Sequence, residues 1–165
     1  MHPPDDDYKL NFDAATFSDP ASTRYGAVIR SNQAEVMVSS IHGTPAVDSD
    51  EAELLACQRA IEFAFEVGFR DIVIEGDNAT VMKSLTVPGP HGSRLGHVLL
   101  DIQNLLTDLT WFSASSVRRE ANFVAHSLAR YARHISCDVF WIEDSPLCLW
   151  RLWTLIMFIF SDEVL

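Results

Sequence analysis

The sequence predicts an α/β fold in which a five-stranded mixed sheet carries helices on both faces. Two observations lead to this prediction: three strand-like segments follow one another early in the chain, and helix-like and strand-like segments then alternate. Consecutive strands pair antiparallel, whereas strands joined through helices pair parallel, so the sheet should be mixed. With 165 residues, 48% of them apolar, the chain is long enough for one core.

The first three predicted strands form an antiparallel meander. KLNFDAATF alternates Leu10 and Phe12 with polar residues in the two-residue period of a strand, which places Asp13 on the face opposite Phe12. RYGAVIR and EVMVSSIHG are separated by SNQA, a short polar link that is typical of a hairpin turn.

The segment DSDEAELLACQRAIEFAFEVGF predicts a long helix. Asp48 suits the N-cap position, Glu51 suits the reciprocal position of a capping box, and Gly68 marks the end. An apolar stripe follows the helical period and comprises Leu54, Cys57, Ile61 and Phe65.

Strands and helices then alternate. DIVIEGD is a short β-branched strand that ends at Asp77, and NATVMKSL predicts a helix directly after it. LGHVLLDIQNLL predicts a further helix, TWFSASSV the fifth strand, and ANFVAHSLARYARH, after Glu120, a final amphipathic helix. This topology places Asp13 in the middle of the sheet and Asp77 at the carboxyl end of the adjacent strand, where ligands commonly bind.

We divide the chain into an acidic leader (1–7), one folded domain (8–144) and an apolar tail (145–165). In the tail, Ser145 suits an N-cap and Pro146 a first helical position, so a helix is predicted. Its apolar run is shorter than the roughly 20 residues of a membrane helix and contains Arg151. We therefore expect the tail to pack against the domain or against a protein partner.

Charge and cysteine content limit the classes of function. A formal net charge of -11 argues against indiscriminate binding of polyanions, so any nucleic-acid contact should come from a local patch, such as the arginine-rich segment 114–134. The three cysteines show no metal-ligand spacing, which favours neither a structural zinc nor a disulfide framework. The leader does not have the pattern of a secretory signal, and we expect an intracellular protein, nuclear or cytoplasmic.

Three acidic residues, Asp13, Glu53 and Asp77, predict a divalent-metal site. Taken singly, Asp77 could cap the following helix and Glu53 could favour the positive start of its own helix. Asp13 has no such role, and a carboxylate within an apolar strand needs a partner. Three carboxylates from different elements are typical ligands for Mg²⁺.

The motifs KLNFDAA, GAVIR, DEAELLACQRAIE, RDIVIEGDN and VRREANFVAHSLAR resemble, in this order, the type 1 ribonuclease H fold. More narrowly, they are similar to plant ribonuclease H-like domains related to retroelement reverse transcriptases. The resemblance implies that Asp13, Glu53 and Asp77 coordinate two Mg²⁺ ions, with Mn²⁺ as an alternative, and that the RNA strand of RNA-DNA hybrids is cleaved. We predict nucleic-acid contacts from Asn78, Ser116, Arg118, Arg119 and Asn122.

Three positions depart from the family pattern, and one of them is Asp48, a carboxylate where a hydroxyl residue commonly touches the DNA phosphate. The fourth carboxylate, in the last helix, is matched by His126, which we include among the predicted catalytic residues although imidazole is a poor Mg²⁺ ligand. His126 has two alternative roles, a phosphate contact or simple packing, and Asn122, one turn earlier, could offer an amide oxygen instead. A mobile histidine of the family is matched by Ser116, which cannot shuttle a proton near neutral pH.

We predict a metal-dependent endoribonuclease with activity weakened by His126. The alternative is a catalytically degenerate module of the same fold that binds hybrids or proteins. A third reading is another nuclease or transferase of this superfold, since architecture alone does not determine chemistry.

Overall fold

A computed structural model describes residues 8–18, 21–31, 36–43, 48–87, 94–134 and 137–143, with the backbone alone for 36–43 and 141–143. Within these ranges lie six strands: β1 (Lys9–Ser18), β2 (Ala21–Arg30), β3 (Val36–Gly43), β4 (Asp71–Gly76), β5 (Trp111–Ser116) and β6 (Val139–Glu143). The α-helices are α1 (Ser49–Glu66), α2 (Ala79–Ser84), α3 (Gly96–Thr107) and α4 (Phe123–Tyr131). A short 3-10 turn, Arg119–Asn122, precedes α4, and a second, Ala132–His134, follows it.

The strands form one mixed sheet in the order β5-β4-β1-β2-β3-β6. β1, β2, β3 and β6 pair antiparallel in succession, whereas β4 pairs parallel with both β1 and β5. The predicted fold class and all five predicted strands are therefore confirmed. β1 lies at the centre because the meander extends the sheet on one side of it and the crossover strands extend it on the other.

A sixth strand, β6, was not predicted from the sequence. It pairs antiparallel with β3, with Val36 opposite Glu143 and Ser40 opposite Val139. Its five residues are mostly apolar and show no clear alternation, so the local pattern does not separate them from the apolar segment that follows. The free edge of β3 supplies the hydrogen-bonding partner that makes this segment a strand.

The larger part of the core lies between the sheet and helices α1 to α3. It is built from the side chains of one sheet face, including Leu10, Phe12 and Ile74, and from the apolar stripe of α1. Asp48 caps α1 by accepting a hydrogen bond from the Glu51 amide at 2.9 Å, as predicted. Gly68, just beyond the helix, has a φ of 98°, a conformation that glycine adopts without strain.

Helix α4 packs on the opposite face of the sheet, directly over Gly26. A β-carbon built on Gly26 would lie 2.3 Å from the Ala125 carbonyl oxygen and 2.5 Å from the Ala129 amide nitrogen. Only glycine therefore allows the backbones of β2 and α4 to approach this closely. Gly26 is also the residue paired with Asp13 across β1 and β2.

The predicted leader (1–7) lies outside the described residues, as does the tail (145–165). The predictions made for these two segments therefore stay predictions. Over the described part of the chain, every helix is too short or too polar to cross a membrane.

Candidate metal centre and its cleft

Three carboxylates from distant parts of the chain converge at one edge of the sheet. Asp13 lies within β1, Glu53 in the second turn of α1, and Asp77 immediately after β4. One potential ligand atom from each lies within 4.8 Å of those of the other two. Asp13 is 4% and Glu53 8% exposed, whereas Asp77 is half-buried. The spatial grouping expected from the sequence is therefore present.

The parallel pairing of β1 and β4 brings Asp13 and Asp77 to the same level. Asn11 lies opposite Glu75, so the residue two positions further along each chain reaches the same edge. Asn78, rather than Asp77, caps α2, because its side-chain oxygen accepts from the Val81 amide at 3.1 Å. The alternative role of Asp77 as a helix cap is therefore excluded.

The backbone of β1 holds Glu53 in place beside Asp13 and Asp77, and these three residues form the candidate metal centre. Oε1 of Glu53 accepts a hydrogen bond from the Ala14 amide at 3.1 Å. Its Oε2 is buried and has no hydrogen-bond partner among the described residues. A buried carboxylate oxygen without a partner is costly unless it is protonated or meets a cation.

The electrostatics of the three acids favour uptake of positive charge. Burial raises the pKa of Glu53 well above its usual range, and the neighbouring carboxylate of Asp13 raises it further. Burial and the charge of Asp13 also raise the pKa of Asp77, while Arg119 acts in the opposite direction. Three oxygen donors, one of them an orphaned buried atom, fit a hard divalent cation such as Mg²⁺ or Mn²⁺.

His126 contacts the acidic group directly. It lies on α4, and its Nδ1 is 2.6 Å from Oδ2 of Asp13. The side chain of His126 is 20% exposed and that of Asp13 is 5% exposed. The imidazole thus occupies one of the two oxygens of the central carboxylate.

The acids lie at the base of an open cleft of about 510 Å³. Of the residues predicted to function, six line it: Asp13, Glu53, Asp77, Asn78, Arg119 and His126. Asn78 also donates a hydrogen bond to Oδ1 of Asp50 at 2.9 Å, so it ties the start of α2 to the start of α1. Arg119 is exposed and is the cationic side chain of this lining.

The other three predicted nucleic-acid contacts lie elsewhere. Ser116, at the end of β5, and Arg118 are exposed but do not line the cleft. Asn122 is 1% exposed, donates a hydrogen bond to the Phe12 carbonyl at 2.8 Å and accepts one from Asn11 at 3.2 Å. This geometry makes Asn122 a link between β1 and α4 and gives no support to its predicted contact with nucleic acid or metal.

A buried polar network beside the acids was not predicted. Asn11 donates to both Glu75, at 3.1 Å, and Asn122, and the carboxylate of Glu75 also meets Lys9 at 3.3 Å and Arg30 at 3.8 Å. Asn11 shares the strand face of Asp13, and Glu75 precedes Asp77 by two residues. The same two-residue period that singled out Asp13 therefore contained a signal for this network. Ser49, which also lines the cleft, gave no comparable signal.

A mixed sheet with this strand order, with three acids converging at its edge, defines a ribonuclease H-like domain. A sequence model described as Reverse transcriptase-like matches residues 11–132. The chain belongs to this Reverse transcriptase-like family.

Solved structures with a similar fold include several ribonucleases H. RNase H1 from the halophilic archaeon Halobacterium salinarum is 28% identical, with a TM-score of 0.69 over 77% of this chain and 97% of that one. The N-terminal RNase H domain of a Mycobacterium tuberculosis protein is 20% identical, with a TM-score of 0.65 over 78% and 94% of the two chains. LC11-RNase H1, solved in complex with an RNA/DNA hybrid, is 17% identical, with a TM-score of 0.63 over 75% and 94%. No significant match was found among curated proteins.

Proposed function

We propose that this protein is a divalent-metal-dependent endonuclease that cleaves the RNA strand of RNA-DNA hybrids, with activity weakened by His126. The observation that carries the proposal is the convergence of Asp13, Glu53 and Asp77 around a buried glutamate oxygen that has no hydrogen-bond partner in the described part of the chain. Mg²⁺ is the proposed ion, since all three ligands are carboxylates.

The three carboxylates would hold the cation, which supplies charge for activating a water and for stabilising the departing oxygen. The water attacks phosphorus, the bond to the 3′ oxygen breaks, and the products carry a 5′ phosphate and a 3′ hydroxyl. Ala14 fixes Glu53 through its backbone amide, and His126 orients Asp13. Arg119, in the same cleft, would hold a phosphate of the bound strand.

A hybrid is the substrate class that we favour over other nucleic acids. The LC11 relative was crystallised with an RNA/DNA hybrid, and its chain is covered over 94% by this fold. Hybrid duplexes are read by shape and through 2′-hydroxyls, which does not require a strongly basic protein surface. This mode of reading is compatible with a net charge of -11.

The decisive experiment is cleavage of an end-labelled RNA-DNA hybrid by the purified protein with Mg²⁺. We expect metal-dependent products that carry 3′ hydroxyl ends, and loss of turnover by at least about 100-fold in Asp77→Asn, which removes one ligand charge. Single-stranded RNA and double-stranded DNA serve as matched substrates and should remain intact. Equal rates for wild type and Asp77→Asn would reject catalysis by this centre.

The alternative function is a catalytically degenerate module that binds hybrids or proteins. The observation in its favour is His126, which takes up an oxygen of Asp13 where the family pattern has a carboxylate. This alternative predicts hybrid affinity without metal-dependent turnover. Replacement His126→Asp separates the two cases, because a rise in cleavage from a measurable baseline favours a weakened enzyme, whereas an inactive wild type favours the degenerate module.

Three further expectations belong to the proposal. We propose an intracellular location, nuclear or cytoplasmic, from the cysteine pattern, and a relationship to plant retroelement-derived domains from the motifs. The apolar segment 145–165 is proposed to pack on the domain or on a protein partner.

A further inference from the structure

The carboxylate oxygens of the centre are unequally available for a cation. Asp13 and Glu53 have two oxygens each, and in both residues one oxygen is already held by the protein. Oδ2 of Asp13 meets the His126 ring nitrogen at 2.6 Å, and Oε1 of Glu53 accepts from the Ala14 amide at 3.1 Å. One further oxygen remains on each of these two side chains, and that of Glu53 is the buried atom for which the described residues supply no hydrogen-bond partner.

Neither of the two protein partners is easily moved. The Ala14 amide belongs to β1, which is paired with β2 along its whole length. His126 lies between Ala125 and Ala129 on α4, where the helix backbone rests on Gly26 with no room for a β-carbon. The backbone at His126 is therefore fixed by packing, and the hydrogen bond to Asp13 holds the ring.

Two divalent ions need more oxygens than this arrangement leaves. Ions that act as a pair lie about 3.5–4 Å apart, a spacing that favours a bridging carboxylate with one oxygen on each ion. Asp13, buried between Glu53 and His126, is the residue placed to bridge, and its second oxygen is occupied. Arg119 in the same cleft already adds a positive charge to the three acids, which lowers the affinity for a second cation.

We infer that the centre binds a single divalent cation, through one oxygen each from Asp13, Glu53 and Asp77, and that His126 excludes a second ion by occupying Oδ2 of Asp13. The inference rests on the metal site of the proposed function and makes its stoichiometry specific to this chain. Substitution His126→Asp would free Oδ2 and add a carboxylate, so the variant should bind two ions.

The test counts bound Mn²⁺ directly. Mn²⁺ accepts the same oxygen ligands as Mg²⁺ and is paramagnetic, so electron paramagnetic resonance distinguishes a lone ion from a coupled pair. The folded protein is titrated alone and with a saturating hybrid whose RNA strand carries slowly hydrolysed phosphorothioate linkages. We expect one ion per wild-type chain, with the spectrum of an isolated ion, in both conditions. His126→Asp should bind two ions with the spectrum of a coupled pair when the hybrid is present.

The control variant is His134→Asp, which adds the same charge at an exposed position in the turn after α4. It should keep one ion, so any second ion in His126→Asp is due to the centre. Two ions in the wild type, no ion, or one ion in His126→Asp with the hybrid present would each overturn the inference. Cleavage of an unmodified hybrid by the wild-type protein is measured separately. If the wild type cleaves the hybrid but binds two ions, only the inferred stoichiometry is rejected. If it binds one ion but does not cleave, only the proposed nuclease function is rejected.

Discussion

At the scale of single residues, the acids of the centre place charge where water has little access. Asp13 and Glu53 are both more than nine-tenths buried, and their oxygens lie close together. Burial and like charge both oppose ionisation, which is why the pKa of Glu53 rises. Without a cation the centre should therefore destabilise the fold near neutral pH, and with a cation it should stabilise it.

Replacement Glu53→Gln tests this balance. The neutral amide keeps the size of the side chain and its acceptor for the Ala14 amide but removes one negative charge. We expect the metal-free protein to gain roughly 1 kcal/mol of stability near pH 7, or about 2–4 °C in Tm for a domain of this size. The increase in Tm on adding Mg²⁺ should disappear. A lower Tm in the metal-free variant would contradict the electrostatic cost assigned to Glu53.

The pH dependence of metal binding follows from the same residues. The pKa values of Glu53 and Asp77 are raised in the folded state, so folding favours their protonated forms. This contribution to stability is complete below the ordinary carboxyl pKa and is lost as pH rises through the folded-state values. Because a cation binds the deprotonated carboxylates, the increase in Tm caused by Mg²⁺ should be small at about pH 5 and larger at about pH 8. An increase that is equal at the two pH values would contradict this linkage.

At the scale of elements, the position of α4 determines what meets the acids. The helix lies against Gly26, and Asn122, the residue just before it, is tied to β1 by donating to the Phe12 carbonyl. This carbonyl immediately precedes Asp13 in the chain, so the two contacts set the distance between His126 and the central carboxylate. Packing and hydrogen bonding of α4 are thus part of the geometry of the centre.

Replacement Gly26→Ala tests the close approach of β2 and α4. The added methyl would meet backbone atoms of Ala125 and Ala129, which cannot rotate away, so the helix must shift. We expect a loss of about 1–3 kcal/mol in the free energy of unfolding, measured by denaturant titration, and a changed metal affinity, because a shift of α4 alters the contact between His126 and Asp13.

Gly68→Ala is the matched control for Gly26→Ala. Its φ of 98° makes alanine unfavourable, but an added β-carbon meets nothing within 4 Å, and the residue lies beyond the end of α1. It should lower stability by about 1 kcal/mol without changing metal affinity. Equal metal affinity in Gly26→Ala and wild type would contradict the role of α4 packing.

At the scale of the whole molecule, binding of nucleic acid has to overcome a net charge of -11. The long-range field repels a polyanion, so affinity must come from short-range contacts and from the cation. Arg119 is the cationic side chain that lines the cleft together with the three acids. The contribution of this one arginine to nucleic-acid affinity should therefore be larger here than that of one arginine on a strongly basic protein.

Replacement Arg119→Ala should weaken hybrid binding about 10-fold and reduce the salt dependence of the binding constant by roughly one phosphate contact. Fluorescence anisotropy with a labelled hybrid across a salt series measures both quantities. Arg70→Ala is the control, because Arg70 is an exposed arginine immediately before β4, at the opposite end of that strand from Asp77, and stacks on Phe65. If the two variants bind equally well, the cleft is not the binding surface.

Much of this architecture was predictable because local patterns determine individual elements. The alternation around Asp13, the cap at Asp48 and the short β-branched strand before Asp77 each follow from backbone periodicity or hydrogen-bonding chemistry. Helix α4 was predicted in outline, although its first residues form a 3-10 turn. The rules of connection then placed the fourth strand beside the first, which brings Asp77 close to Asp13.

The sequence by itself determined the fold class, the five strands of the predicted sheet and the identity of the three converging acids, because periodicity and chain connectivity are local properties. The tertiary structure alone decided that β6 completes the edge beside β3, that Asn122 is buried against β1, and that His126 occupies an oxygen of Asp13. These three features depend on contacts between residues far apart in the chain. Such contacts are set by packing distances, which no local pattern encodes.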